Sequence, residues 1–217
     1  MNAALRSWIP ELRPLLAVPF LLFLITAVGY PLAVTGVGQA IFGAKANGSI
    51  ATVDGVPVGS HLVGQEFTSV HYFHGRPSAA DYDAAASAGS NLGPTSAKFL
   101  DGVADDLATA EDESFTGVTQ RVETFRRVNG LDADQAVPAD AVTASASGLD
   151  PHISPANARL QVARVARARG IDEAALTALV EDHVEKAVFG IFGEPRVNVL
   201  ELNIALDRRF PVASSRQ

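Results

Sequence analysis

Residues 15–34 read LLAVPFLLFLITAVGYPLAV, and no Asp, Glu, Lys, Arg or His occurs between Arg13 and Lys45. A helix of about 20 residues is about 30 Å long, the thickness of a bilayer's hydrocarbon core. A buried helix of a soluble core is rarely free of charge on every face. A cleaved signal has a shorter apolar region and ends in an A-x-A-like site, which is not clear here. The run is therefore expected to be one membrane span, over residues 14–36. Pro19 and Pro31 lie near its ends, where a missing N–H is least costly, and Trp8 and Tyr30 suit the two interfaces.

Arg6 and Arg13 precede the span, and the next Lys or Arg is Lys45. The positive-inside bias then places residues 1–13 in the cytoplasm and a domain of residues 45–217 outside. The formal net charge is −7, and the first 13 residues contribute +1, so the remainder carries −8. An acidic domain is a poor partner for nucleic acid. The sequence has no cysteine, which excludes disulfides, thiolate metal sites and a cysteine nucleophile.

After the span, Asp54-Gly55 between β-branched residues predicts a hairpin within residues 45–60. Residues 61–73 read as extended or mixed structure. Residues 74–95 form a long loop rich in Gly, Ser, Ala, Asn and Pro, pinned by Arg76-Pro77, Gly93-Pro94, Tyr72 and Tyr82. Helices dominate the second half. Thr95 or Ser96 caps one with Phe99, Leu100, Val103 and Leu107 in phase. A second covers 118–128, with Val118, Val122, Phe125 and Val128 as its stripe and Asn129-Gly130 as its stop. Ser154-Pro155 starts a third, 156–169, with Leu160 and Val165 inward and Arg159, Arg164, Arg167 and Arg169 mostly outward. Asp172 caps a fourth, with Leu176, Leu179, Val180 and Val184. In residues 197–206, Leu200, Leu202, Ile204 and Leu206 alternate as in a strand, whereas Asn198 and Glu201 have the spacing of a capping box, which favours a helix from Val199. The fold class expected is a single N-terminal transmembrane helix plus a mixed α/β domain, helix-rich in its second half.

No catalytic or metal-binding constellation stands out. His71 and His74 are three apart, without a carboxylate cluster beside them. Gly36-x-Gly38 is followed by Ile41 where a dinucleotide fingerprint needs glycine. Ser145, Asp150 and His152 lie close in sequence, but a loop spacing forces no triad. Asp105-Asp106 and Glu111-Asp112-Glu113 read as solvated charge runs. The arginines of 159–169 read as the wet side of a helix that can also meet a phosphate or carboxylate. The alternative function is a single-span extracytoplasmic hydrolase or ligand-binding protein, which requires a pocket with convergent polar groups.

Several motifs occur together and in order: YFHGRPSA at 72–79, SNLGPT at 90–95, PADAVTAS at 138–145, SGLDP at 147–151, ISP at 153–155 and GEPRVNVLELN at 193–203. The chain closely resembles the C chain of the bacterial potassium-transporting Kdp ATPase over nearly its whole length. The resemblance implies a non-catalytic membrane subunit of a high-affinity, ATP-driven K⁺ uptake pump. Its partners would be a channel-like K⁺-translocating subunit and a P-type ATP-hydrolysing subunit. The chain would carry no cofactor and no metal, with ATP and K⁺ handled by the complex. The family's role is assembly or stabilisation of the complex, and a raised ATP affinity of the P-type subunit; the Ser145-Ala146-Ser147-Gly148 stretch has been likened to an ATP-cassette signature. A cytoplasmic nucleotide conflicts with the positive-inside orientation. The charge bias therefore favours an extracytoplasmic domain that acts by assembly or by shaping ion entry. Two loops are the expected partner contacts: Tyr72, Phe73, Arg76 and Pro77 with Ser90, Asn91, Gly93 and Pro94, and then Thr143, Ser145, Ser147, Gly148 and Asp150.

Overall fold

The computed structural model describes residues 3–104 and 114–212, with side chains described from residue 12 onward. Asp105-Asp106, Leu107 and Glu111-Asp112-Glu113 lie outside the described residues, as does the side chain of Trp8. The chain divides into two compact units at Ile50 and Ala51.

The first unit is helical: α1 (Ala3–Phe23), a π-helical segment (Leu24–Gly29) and α2 (Tyr30–Ala46) follow one another directly. Within it, Leu12–Ala46 is long and apolar enough to cross a membrane, and none of it is buried. Pro19 and Pro31 therefore lie inside the helix and not at its ends. The wider turn explains why the helix survives Pro31. The Tyr30 N–H reaches back five residues to the Ile25 carbonyl. An extra residue in the turn relieves the clash that a proline ring makes with the carbonyl four residues earlier. The Thr26 hydroxyl donates to the Leu22 carbonyl at 2.7 Å, a further bond that satisfies backbone where the regular ladder shifts. Phe42 (φ −128°, ψ 38°) kinks α2 before its end.

The second unit opens with the hairpin β1 (Ile50–Val53) and β2 (Val56–Ser60). Asp54 and Gly55 both have positive φ (51° and 80°), as a type I′ turn requires. The helices follow: α3 (Ala97–Asp101), α4 (Val118–Asn129), α5 (Pro155–Arg169), α6 (Glu173–Asp182) and α7 (Val199–Arg209). Three short strands, β3 (His152–Ile153), β4 (Val184–Glu185) and β5 (Arg196–Asn198), form an antiparallel sheet in the order β3-β5-β4. Val197 pairs with Ile153 on one side and Val184 on the other. Phe73, Ile153, Val165, Leu176, Val180, Leu202 and Leu206 form the core between that sheet and α5, α6 and α7.

The caps set the helix starts. Ser154 accepts from Asn157 N–H, Asp172 from Ala175 N–H and Asn198 from Glu201 N–H. Residues 199–209 are therefore helical. Glu201 does not close its capping box; its carboxylate accepts from His61 Nδ1 at 2.7 Å. Four expectations need correction. The helix after Ser96 stops at Asp101, because Gly102 turns to φ 77°, and Val103 instead pairs with Phe115. Val128 of the α4 stripe is exposed, and Val184 belongs to a strand. Arg164 and Arg169 point inward, for a reason that the loops supply.

Candidate functional site

Residues 69–78 have no regular secondary structure, yet every backbone carbonyl from residue 70 to 74 accepts a hydrogen bond from a side chain. Arg164 donates to the carbonyls of Val70 (2.8 Å) and Tyr72 (3.0 Å), and Arg169 to that of His71 (2.7 Å). Asn203 pairs with both the N–H and C=O of Phe73, and Gln161 does the same for His74. These side-chain amides replace a neighbouring strand. A buried backbone needs such partners, and α5 and α7 provide them. Phe73 is consequently fully buried, and its ring serves the core. Arg169 also lies 4.8 Å above the Tyr72 ring and donates to Asp207, whose other oxygen accepts from the Tyr72 hydroxyl. Burial and the Asp207 carboxylate push the Tyr72 phenol above its ordinary range.

Arg76 ties this loop to the segment 143–150. Its guanidinium meets Asp150 at 3.0 Å and faces the carbonyls of Thr143 and Ala144 at 3.4 Å. Burial alone would raise the Asp150 carboxyl. The bonds from His152 and the charge of Arg76 outweigh it and hold the group below the usual carboxylate range. The Tyr82 hydroxyl donates to the Arg76 carbonyl, and burial with the nearby Asp150 and Glu66 charges pushes it up to about 12. Ser78 donates to the Gly148 carbonyl at 2.7 Å, and Ser87 to that of Ser147 at 2.9 Å. Two glycines allow the close approach. A Cβ on Gly89 would lie 2.8 Å from the Ala146 carbonyl oxygen, and one on Gly148 would lie 2.6 Å from that of Ala88, at φ 69°. Asp140 anchors the same segment by accepting from Ser154 N–H, Ser154 Oγ and Asn157.

The structure therefore brings Arg76 together with Thr143 and Asp150, and Ser78 with Gly148. Pro77 lines a cavity beside them. Asn91, Gly93 and Pro94 are exposed, and Asn91 stands at φ 53°. Ser145 Oγ lies 3.3 Å from Ser147 Oγ, while His152 Nδ1 faces Asp150 at 3.3 Å, so no Ser-His-Asp relay forms. Among the described residues there is no group of three or more metal-ligating side chains. His74 donates from Nε2 to the Ser69 carbonyl at 3.0 Å; burial and the Arg164 charge lower its pKa, so it is neutral at pH 7. His71 Nδ1 is buried without a partner.

Two features escape a sequence reading. Arg121 on α4 faces the cavity; only its half-buried neighbours give it away. Residues 188–192 form a tight hairpin in which Val188 and Phe192 exchange backbone bonds and Phe189 (φ 54°) and Gly190 (φ 71°) make the turn. Its Phe189, Ile191 and Phe192 are 89%, 78% and 67% exposed. Phe189-Gly190 between apolar residues was the available signal.

Comparison with known proteins adds a lineage to this geometry. The family model described as "KdpC: K+-transporting ATPase, c chain" matches residues 12–208. A "Potassium-transporting ATPase KdpC subunit" of Mycobacterium tuberculosis strain H37Rv is 50% identical over 200 residues, covering 91% of this chain and 98% of that one. A protein of the same description from Cereibacter sphaeroides is 50% identical over 197 residues, covering 91% and 96%. The match takes in the apolar helix and the clamped loops alike, and the chain belongs to the KdpC family, the c chains of K⁺-transporting ATPases.

Proposed function

We propose that this chain is a non-catalytic subunit of an ATP-driven K⁺ uptake pump, anchored by its helix and acting through a rigid extracytoplasmic domain on the channel-like and P-type subunits. The observation that carries the reading is the family match over residues 12–208, which includes anchor and domain together. The loop architecture supports it. Residues 70–74 are held by side chains of α5 and α7, and 143–150 by Arg76 and Ser78, so their outer edges form a preorganised surface, which lowers the entropy cost of docking. ATP hydrolysis and K⁺ translocation are assigned to the other chains. Two finer roles follow: stabilising the assembled complex, and raising the ATP affinity of the P-type subunit. The −8 charge of the sequence after residue 13 also favours cation accumulation near the ion entrance, an effect that salt screens.

A C-terminal tag and gentle extraction test the reading. A K⁺-stimulated ATPase is expected to co-purify and to lose assembly or activity when this chain is omitted. A chain that purifies alone from cells grown at low K⁺ would overturn it. Nucleotide affinity of the complex with and without the chain separates a scaffold from an affinity modulator. Orientation has its own assay. The sequence has no cysteine, so Asn91→Cys introduces a single thiol on an exposed loop. A membrane-impermeant maleimide is expected to label it in cells with an intact inner membrane, and protection there would place the domain in the cytoplasm.

A further inference from the structure

A cavity of about 650 Å³ opens beside the clamped loop. His74, Arg76 and Pro77 form one wall, and Arg121, Phe125 and Val128 of α4 form another. Its volume is that of a small-molecule site. Charge is distributed unevenly around it. Glu66 and Asp81 line it but are exposed to water. The charge of Arg76 is met by Asp150. Arg121 is different: its guanidinium lies 5.3 Å above the Phe115 ring and, among the described residues, reaches only the Val142 carbonyl, at 3.4 Å. Among the described residues no carboxylate lies within ion-pair distance of it.

A second cation stands behind the wall. Arg164 is 6% exposed and donates to Asn129, Gln161 and the carbonyls of Val70 and Tyr72, all of them neutral acceptors. Asn129 is itself a lining residue. Burial lowers the pKa of both guanidinium groups, that of Arg164 to about 10. A desolvated cation without a counter-ion is costly, and two of them beside one recess concentrate anions there. The rest of the lining sets the apolar side chains of Phe67, Phe125 and Val128 among the hydroxyls of Thr68, Ser78, Tyr82, Thr116 and Thr124.

We propose that this cavity binds a small amphipathic organic monoanion, with its carboxylate on Arg121 and an aromatic or branched aliphatic body against Phe125 and Val128. The exposed carboxylates of Glu66 and Asp81 disfavour polyanions, so a nucleoside triphosphate is a poor occupant. The site stands on its own geometry and does not require the pump-subunit reading.

The test is a titration of 4-fluorophenylacetate onto the purified full-length chain in detergent, followed by ¹⁹F line width, with 4-fluorobenzyl alcohol reporting partition into the micelle. Saturable binding of the acid and not of the alcohol is expected. Arg121→Gln should weaken it about tenfold or more, as loss of a charge-assisted bond does. Val128→Trp should do the same by filling the cavity while leaving the cation in place. Arg159→Gln, which removes a surface guanidinium paired with Glu181, should leave binding unchanged. The proposal fails if the acid does not saturate, if the alcohol binds equally, if a correctly folded Arg121→Gln binds as well as the parent, or if ATP displaces the acid at equal concentration. It also fails if the isolated chain binds and the assembled complex does not, since the cavity would then belong to a partner's side chain.

Discussion

The segment 70–74 and the hairpin 188–192 both lie outside the main helices, and they solve the backbone problem in opposite ways. In the first, Arg164, Arg169, Asn203 and Gln161 satisfy each carbonyl, and the Phe73 ring enters the core. In the second, the chain pairs with itself between Val188 and Phe192, and the apolar rings face outward. The first is fixed by long-range polar contacts, so its stability depends on helices that come about 90 residues or more later. The second is local, so its backbone bonds call on no distant segment. The side chains that clamp the loop can be lost only at the expense of its order, whereas the exposed ones of a self-paired hairpin are free to change.

The largest expected effect lies at the clamp. Arg164→Ala leaves the Val70 and Tyr72 carbonyls, Asn129 Oδ1 and Gln161 Oε1 without their charged donor. Bonds to charged groups and stranded buried acceptors together make about 4 kcal/mol of destabilisation. For a domain of this size that is about 10 °C in Tm, read by thermal unfolding of the purified chain. A much smaller loss would mean that water replaces the guanidinium and that the clamp is not the source of loop order. Leu202→Ala, which leaves a hole in the core beside the clamp, should cost about 3 kcal/mol. If it cost more than Arg164→Ala, apolar packing and not the polar lattice would be the main tie between α7 and the loop.

A smaller effect is expected at the junction of the two loops. Arg76 and Asp150 are about a quarter exposed, so Asp150→Asn should cost only about 1–2 kcal/mol at pH 7. Its pH dependence is the sharper readout. The carboxyl is held below its ordinary value in the fold, so its contribution is complete above the unfolded pKa and disappears as pH falls through the folded one. The parent chain should therefore lose stability on acidification below about pH 4, and Asp150→Asn should flatten that part of the curve. Identical acid limbs in the two proteins would remove Asp150 from the account.

The same contrast explains what the sequence disclosed. Ser154, Asp172, Asn198 and the Asp54-Gly55 turn act within a few residues of themselves, so local spacing was enough to place α5, α6, α7 and the first hairpin. Arg164 and Arg169 look like solvent-facing residues when α5 is read alone. Their partners at 70–72 are invisible to any helical period, and so was the reason for their burial. The clamped loop was legible as a motif, through Arg76-Pro77, Gly93-Pro94 and the SGLDP stretch at 147–151, but not as a geometry. The expected span 14–36 ran through Pro31, but how its helix accommodates that proline stayed hidden for a related reason: the π turn has no residue signature of its own.

The smallest effect sharpens the other side of the comparison. Phe189 sits at φ 54° with its ring 89% exposed. A bulky residue in the left-handed region is disfavoured by roughly 1 kcal/mol relative to Asn or Gly, and an exposed ring gains nothing from the core. Asn-Gly is the preferred pair for a two-residue turn with both φ values positive. Phe189→Asn should therefore stabilise the isolated chain, by about 0.5–1 kcal/mol, a rise of about 2 °C in Tm. No substitution of comparable size at Tyr72 or Phe73 should do so, because the side chains there are already committed to the fold. An unchanged or lowered Tm for Phe189→Asn would show that the ring packs against its own chain after all, and the division between a committed loop and an uncommitted hairpin would fail at that residue.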